Sequence, residues 1–280
     1  MRIDLCGVRG STPTPGRDYE RFGGHTSCVA LSHDGAERPT LILDAGTGLR
    51  EASRRLIGAA PFSGTVLLSH LHWDHIQGLP FFAAGDRDAS RVSVVLPEQP
   101  GGGDALEVLK QVMSPPFFPV GPDELRGYWR LAALAPGESE HEGFQVLARE
   151  IPHKGGRTYG FRVSDGRSAV TYMPDHCPTA LGPGPDGYGE YHEAALALAA
   201  ESDVVIHDAQ LLPSELGAEA SMGHSCGEYA VELARRAGAR SVLFFHHRPN
   251  RTDAELDAVQ AGLSGEPRAS VAVQGTRLDL

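Results

Sequence analysis

The segment Ser69-His70-Leu71-His72-Trp73-Asp74-His75 puts four potential metal ligands within six residues. Neutral imidazole and carboxylate are donors suited to Zn²⁺ and similar divalent ions. The segment follows the apolar run Thr65–Ser69, which reads as a strand. A strand end fans its side chains outward. A tight turn after it can aim His70 and His72 one way, and Asp74 and His75 another. The competing reading is a chance histidine-rich surface turn; the His-x-His-x-Asp-His spacing and the strand before it favour a ligand cluster.

Three later residues sit where a metal site would need them. His153 follows the expected strand Phe144–Ile151, Asp175 follows Ser168–Met173, and His246 follows Ser241–Phe245. A lone histidine at a strand end is usually a cap or a surface residue. Three such residues beside the cluster are enough, with it, for two metal ions that keep positions open for water. Two divalent ions ~3.5–4 Å apart can hold one hydroxide between them. Each cation lowers the pKa of bound water, so the nucleophile exists at neutral pH. A phosphodiester with one non-bridging oxygen on a metal becomes more electrophilic, and in-line attack is stabilised by the same charge.

These residues need a scaffold that brings distant strand ends together. The 280 residues suffice for one large domain, and no linker divides them. With 25 Lys+Arg against 36 Asp+Glu, the net charge is −11, which makes a poor general surface for a phosphate backbone. No apolar run reaches the ~18 residues of a membrane span. The start, MRIDLCGVRG, lacks an apolar signal core and alternates like a strand, so a cytoplasmic protein is expected. The scattered Cys6, Cys28, Cys177 and Cys226 read as reduced thiols. Strands are expected over Arg2–Val8, Thr26–Ser32, Thr40–Leu43, Arg91–Leu96, Tyr128–Leu134, Thr158–Val163, Asp203–His207 and Ser270–Val273 as well. Helices are expected over Gly48–Ala59, Asp104–Met113, Tyr191–Ala200, Cys226–Ala237 and Asp253–Leu263. Two groups of strands with helices between and outside them predict an α/β protein: two sheets in a sandwich with helices on the outer faces.

Further segments extend the pattern over nearly the whole chain: Gly7-Val8-Arg9-Gly10-Ser11-Thr12-Pro13, Gly23-Gly24-His25-Thr26-Ser27-Cys28, Leu43-Asp44-Ala45-Gly46-Thr47-Gly48 and Ile76-Gln77-Gly78-Leu79-Pro80. Later come Tyr159-Gly160-Phe161-Arg162, Ile206-His207-Asp208-Ala209, Gly223-His224-Ser225 and His246-His247-Arg248-Pro249. With these the chain resembles the metallo-β-lactamase-fold hydrolases. Within them it resembles the phosphodiesterase branch that includes ribonuclease Z and the phosphoribosyl cyclic phosphodiesterases. The resemblance implies a four-layer αββα sandwich spanning residues 1–280 as one hydrolase domain. It implies that His70, His72 and His153 hold one metal, that Asp74, His75 and His246 hold a second, and that Asp175 bridges both. His247 competes with His246; the family's ligand stands three residues before a proline, here Pro249, which selects His246. Asp44 reads either as a support for the ligands or as a turn aspartate.

In the ribonuclease Z branch a histidine in a His-Ser-Thr segment pairs with a glutamate in a His-Glu-Ala-Thr segment. This chain has Gly223-His224-Ser225-Cys226 and His207-Asp208-Ala209-Gln210, so the carboxylate is one methylene shorter. Asp208 beside His224 would raise the imidazole's pKa and keep it protonated as a general acid. The catalytic set is therefore Asp74, His224 and Asp208, with Asp74 also orienting the nucleophile. The alternative for His224 is plain decoration of a helix N-terminus. Arg9, Arg157 and His176 are weaker substrate-binding candidates. The branch carries a flexible basic arm between the positions of His153 and Asp175; here only 22 residues separate them. A small or cyclic phosphodiester is thus expected rather than long RNA, with two Zn²⁺ (or Mn²⁺ or Fe) as cofactors, no membrane partner and, by analogy, a homodimer. The stretches Pro97–Gly143 and Gly182–Gly189 are expected to roof the site. A lactone or thioester hydrolase, and a non-catalytic metal sensor or cofactor-assembly protein, are the other expectations the fold allows.

Overall fold

The computed structural model describes residues 1–56, 61–263 and 268–280. Apolar alternation with period two builds two seven-stranded sheets among these residues. The first runs in the order β14 (Arg277–Asp279), β1 (Arg2–Gly7), β2 (Cys28–Ser32), β3 (Leu41–Leu43), β4 (Ser63–Leu67), β5 (Arg91–Pro97) and β6 (Tyr128–Leu134). The second runs β13 (Arg268–Val271), β12 (Ser241–Phe245), β11 (Val204–Asp208), β10 (Ala169–Met173), β9 (Tyr159–Ser164), β8 (Phe144–Glu150) and β7 (Gly137–His141). Neighbours from β3 to β6 are parallel, as are those from β10 to β13.

Side-chain alternation divides the apolar residues among three layers of core. Along β3, Leu41 and Leu43 join the cluster between the sheets, while Ile42 turns to the outer helices. Along β11, Val204 and Ile206 face inward and Val205 outward. Helix α1 (Gly48–Leu56) buries Leu49, Ala52, Ser53 and Leu56, the spacing of one helical face, against the first sheet. Leu109 of α3 (Ala105–Lys110) joins it there. On the second sheet lie α4 (Glu193–Ala199), α6 (Gly227–Arg236) and α7 (Asp253–Gly262), through Leu198, Leu233 and Leu256. Each fully buried leucine contributes roughly 1.5–3 kcal/mol. The layers are helix, sheet, sheet, helix: the αββα sandwich.

The expected elements occur, with shifted ends and some additions. The strand expected to run to Ser69 ends at Leu67, because the Ser69 N–H leaves the ladder and donates to Asp44 Oδ1 at 2.6 Å. The expected last turn of Gly48–Ala59 falls outside the described residues. Strands β7 and β14 and helix α5 (Pro213–Glu219) were not expected from the sequence. The four cysteines are buried free thiols. Among the described residues no helix is long and apolar enough to cross a membrane.

Candidate metal centre

The parallel strands end at one rim, and that is where the singled-out residues meet. After β4 the chain passes through Ser69 to His72, which caps the single-turn helix α2 (Trp73–Ile76). His153 follows β8, Asp175 follows β10, Asp208 ends β11 and His246 directly follows β12. His246 takes a left-handed φ of 59°, as does Asp44 beyond β3. That conformation is uncommon for a non-glycine residue and costs on the order of 1–3 kcal/mol. It turns each side chain back toward the rim.

Two ligand groups share Asp175. Its Oδ2 lies 3.2 Å from His153 Nε2 and 3.6 Å from His70 Nε2. Its Oδ1 lies 3.1 Å from His75 Nε2 and 3.0 Å from His246 Nε2. Asp74 Oδ2 completes the second group, 3.2 Å from His75 Nε2 and 3.1 Å from His246 Nε2. His72 completes the first through Nδ1, 3.3 Å from His153 Nε2. The donor atoms of His70, His72, His153 and Asp175 lie within 4.8 Å of one another, as do those of Asp74, His75 and His246.

The outer hydrogen bonds settle which ring nitrogens face inward. His75 Nδ1–H donates to Asp44 Oδ2 at 2.7 Å, and His153 Nδ1–H donates to the Gly223 carbonyl at 2.6 Å. The Ser69 hydroxyl donates to Asp44 Oδ2 at 2.8 Å and takes His70 Nδ1–H at 3.0 Å. Tyr172 also donates to Asp44, at 2.8 Å. Each ring therefore turns a lone pair toward the centre. Buried His70 Nε2 and Asp175 Oδ1 have no hydrogen-bond partner. Lone pairs crowded together with orphaned buried acceptors are what a divalent cation would satisfy, so the donor set fits the expected metals. Burial works against the Asp175 carboxylate, but the four surrounding imidazoles outweigh it and hold its pKa well below the usual range.

His224 stands over the centre, its ring 5.0 Å from that of His246. Its Nδ1 lies 3.0 Å from Asp208 Oδ2. The shorter carboxylate reaches because the backbone gathers round it: Oδ2 also accepts from His176 N–H at 3.1 Å, and Oδ1 accepts from Gln210 N–H at 3.0 Å. Burial opposes charge on His224, yet Asp208 overrides it and the pKa is pushed up to about 9. The cavity over the centre, about 370 Å³, is lined by Ser11, Leu71, His72, Trp73, Asp74, Asp175, His224 and His246.

The family model described as the Beta-lactamase superfamily domain matches residues 40–247. The chain belongs to this superfamily. Within it the chain is similar to the ribonuclease Z of Salinibacter ruber, with 25% identity over all of this chain and 95% of that protein. Two solved structures share the fold. The short form of human tRNase Z has a TM-score of 0.69 at 18% identity, covering 100% of this chain and 99% of that one. Zn²⁺-bound PqqB from Methylobacterium extorquens has a TM-score of 0.68 at 20% identity, covering 100% of both. The superfamily fold implies divalent metal binding, in keeping with the clusters described above.

Several sequence expectations need correction in this superfamily member. Arg9 is not at the centre: its buried guanidinium donates to the carbonyls of Gly23, Arg248 and Arg251 and pins the N-terminal loop. Arg157 is engaged by Glu98 at 2.9 Å and Glu150 at 3.1 Å, so its charge is already matched. His176 points away, with Nδ1 at 2.9 Å from His207 and Nε2 at 2.9 Å from His192. His247, the competitor that the sequence reading set aside in favour of His246, needs no such correction: it donates to the Ala272 carbonyl at 2.7 Å, and burial pushes its pKa down to about 3. Much of Pro97–Gly143 does not roof the site, because β6 and β7 are edge strands there. Gly182–Gly189 contributes nothing to the cavity lining. Sequence reasoning missed Gln210, whose amide lies 3.0 Å from His246 Nδ1, and Ser11, whose N–H donates to Asp74 Oδ2 at 2.7 Å. The one hint was that Gln210 stands where the ribonuclease Z segment has threonine.

Proposed function

We propose that this chain, as one cytoplasmic hydrolase domain, is a metal-dependent phosphodiesterase acting on a small or cyclic phosphodiester. His70, His72 and His153 would hold one ion, Asp74, His75 and His246 the other, and Asp175 would bridge them. Zn²⁺ suits a histidine-rich donor set best. The observation that carries the reading is the Asp208–His224 pair, 3.0 Å apart at the mouth of the centre. A charged imidazole there serves a reaction with an oxyanion leaving group. When bound, divalent ions supply acidified water and polarise a phosphoryl oxygen. Asp74, fixed by the Ser11 N–H, orients the attacking water. His224 donates its proton to the departing oxygen, and Asp208 keeps that proton available at neutral pH. The short interval between His153 and Asp175, filled by β9 and β10, leaves no long arm for RNA, and the net charge of −11 argues the same way.

The test is a panel of bis-p-nitrophenyl phosphate, cyclic nucleotides, a structured RNA, a lactone and a thioester, each with and without chelator. Chelator-sensitive turnover of the small phosphodiesters is expected, with metal content near two equivalents by elemental analysis. Turnover of the lactone or thioester alone defeats the proposal. Preference for the RNA defeats its substrate class.

A further inference from the structure

Beside the metal centre lies a second cavity of about 350 Å³, lined by α2, the end of α3 and the loop after it. Trp73 belongs to both cavities. The metal-centre side of Trp73 is polar; the far side is walled by Leu79, Leu109, Phe117 and Phe118. Among the described residues no charged side chain lines this groove, and Gln77 and Gln111 are the amides in its lining. Trp73 and Phe117 are 72% and 78% exposed, far more than their apolar surface warrants unless something covers it.

We infer that this groove is a specificity subsite for one ester arm of the phosphodiester, and that the arm it takes is a planar aromatic group such as a nucleobase. The inference rests on the phosphodiesterase reading of the adjacent centre. Continuity through Trp73 places the groove one side chain from the phosphoryl position. Its volume matches a single ring-bearing group rather than a macromolecule. An uncharged lining suits the neutral arm and leaves phosphate to the metal side. Three aromatic side chains in the lining, Trp73, Phe117 and Phe118, favour a flat π-surface over a flexible chain. Carboxamides can pair with the in-plane donors and acceptors of a base edge, which an alkyl arm lacks.

The experiment uses full-length, metal-loaded protein and p-nitrophenyl phosphodiesters whose second arm is methyl, cyclohexyl, phenyl or 5′-thymidyl. The phenyl and thymidyl esters should exceed the methyl ester in kcat/KM by about tenfold, the usual worth of one stacking contact. Phe117→Ala should collapse that ratio toward unity, and Phe117→Tyr should keep it; an exposed site makes both variants safe for folding. Equal kcat/KM for all four arms overturns the subsite while leaving the phosphodiesterase reading intact. A cyclohexyl ester as good as phenyl overturns the aromatic assignment. A dimer that Phe117→Ala splits, with unchanged arm preference, also overturns it and makes the groove an interface between copies. Absence of turnover on every phosphodiester, with lactone or thioester turnover present, removes the underlying reading instead.

Discussion

Aspartate is one methylene shorter than glutamate, and at position 208 the fold makes up the difference by where it ends a strand. Asp208 closes β11, so its carboxylate is fixed by the backbone N–H groups of His176 and Gln210, and His224 comes to it. The pairing of Asp208 with His224 was expected from the sequence; whether the shorter side chain would reach was not legible there, because reach depends on where the strand ends. The pairing has a measurable consequence. With a pKa raised to about 9, His224 is protonated at neutral pH and loses its proton as pH rises through that value. Activity that depends on the proton should therefore hold through neutrality and fall above pH ~9. In Asp208→Asn the charge partner is gone, and the falling limb of kcat/KM should move down toward pH ~6.5. His224→Ala should lower kcat by about 10²–10⁴. A pH–rate profile identical in wild type and Asp208→Asn would remove the pair from the chemistry. Gln210 acts at the same scale. For His246 to present a lone pair at Nε2, its Nδ1 must carry hydrogen and find an acceptor, and a half-turn of the Gln210 amide offers one. Gln210→Leu should weaken retention of an ion by about 10–100-fold in chelator competition, while Gln210→Glu should retain it.

At the scale of elements, the strands were legible wherever one face alternates against a core. β7 escaped because Gly137–His141 is an edge strand whose side chains are all at least partly exposed, so Glu138 and Glu140 left no apolar rhythm to read. α5 buries only Leu216, and β14 is three residues long. The cluster from His70 to His75 was legible because its donors are adjacent in sequence. Asp44's role was not, since its partners Ser69, His75 and Tyr172 come from other elements, up to 128 residues away. The N-terminal loop is the other hidden element. Its Gly10 packs so closely on the centre that an added Cβ would stand 2.5 Å from His246 Nδ1 and 2.9 Å from Gln210 Nε2. Ala at position 10 would have to push the His246 ring off its place. Gly10→Ala should thus retain the ion on the His70–His72–His153 side, lose affinity on the other, and cost ~10²-fold in rate, as an ångström-scale misplacement does. Elemental analysis after gel filtration would read the change from two equivalents toward one; an unchanged stoichiometry and rate would show that the loop yields.

On the scale of the whole molecule, the centre joins the two sheets. His70, His72, Asp74 and His75 hang from the first sheet through β4, while His153, Asp175 and His246 hang from the second through β8, β10 and β12. An ion held by both groups is a crosslink between layers that otherwise meet mainly through apolar contact, with a few polar links such as Tyr172 to Asp44. Binding to the folded state and not to the unfolded chain adds about 4 kcal/mol at a thousandfold excess over Kd. For a protein of this size each kcal/mol moves Tm by roughly 2–4 °C. Chelator should therefore lower Tm on the order of 10 °C in a thermal scan, and Zn²⁺ added back should restore it. In Asp175→Asn, where both ion positions lose charge from the one residue they share, the scans with and without chelator should nearly coincide. If wild type melted at one temperature in both, the seven side chains would be a polar seam of the sandwich and not its clasp.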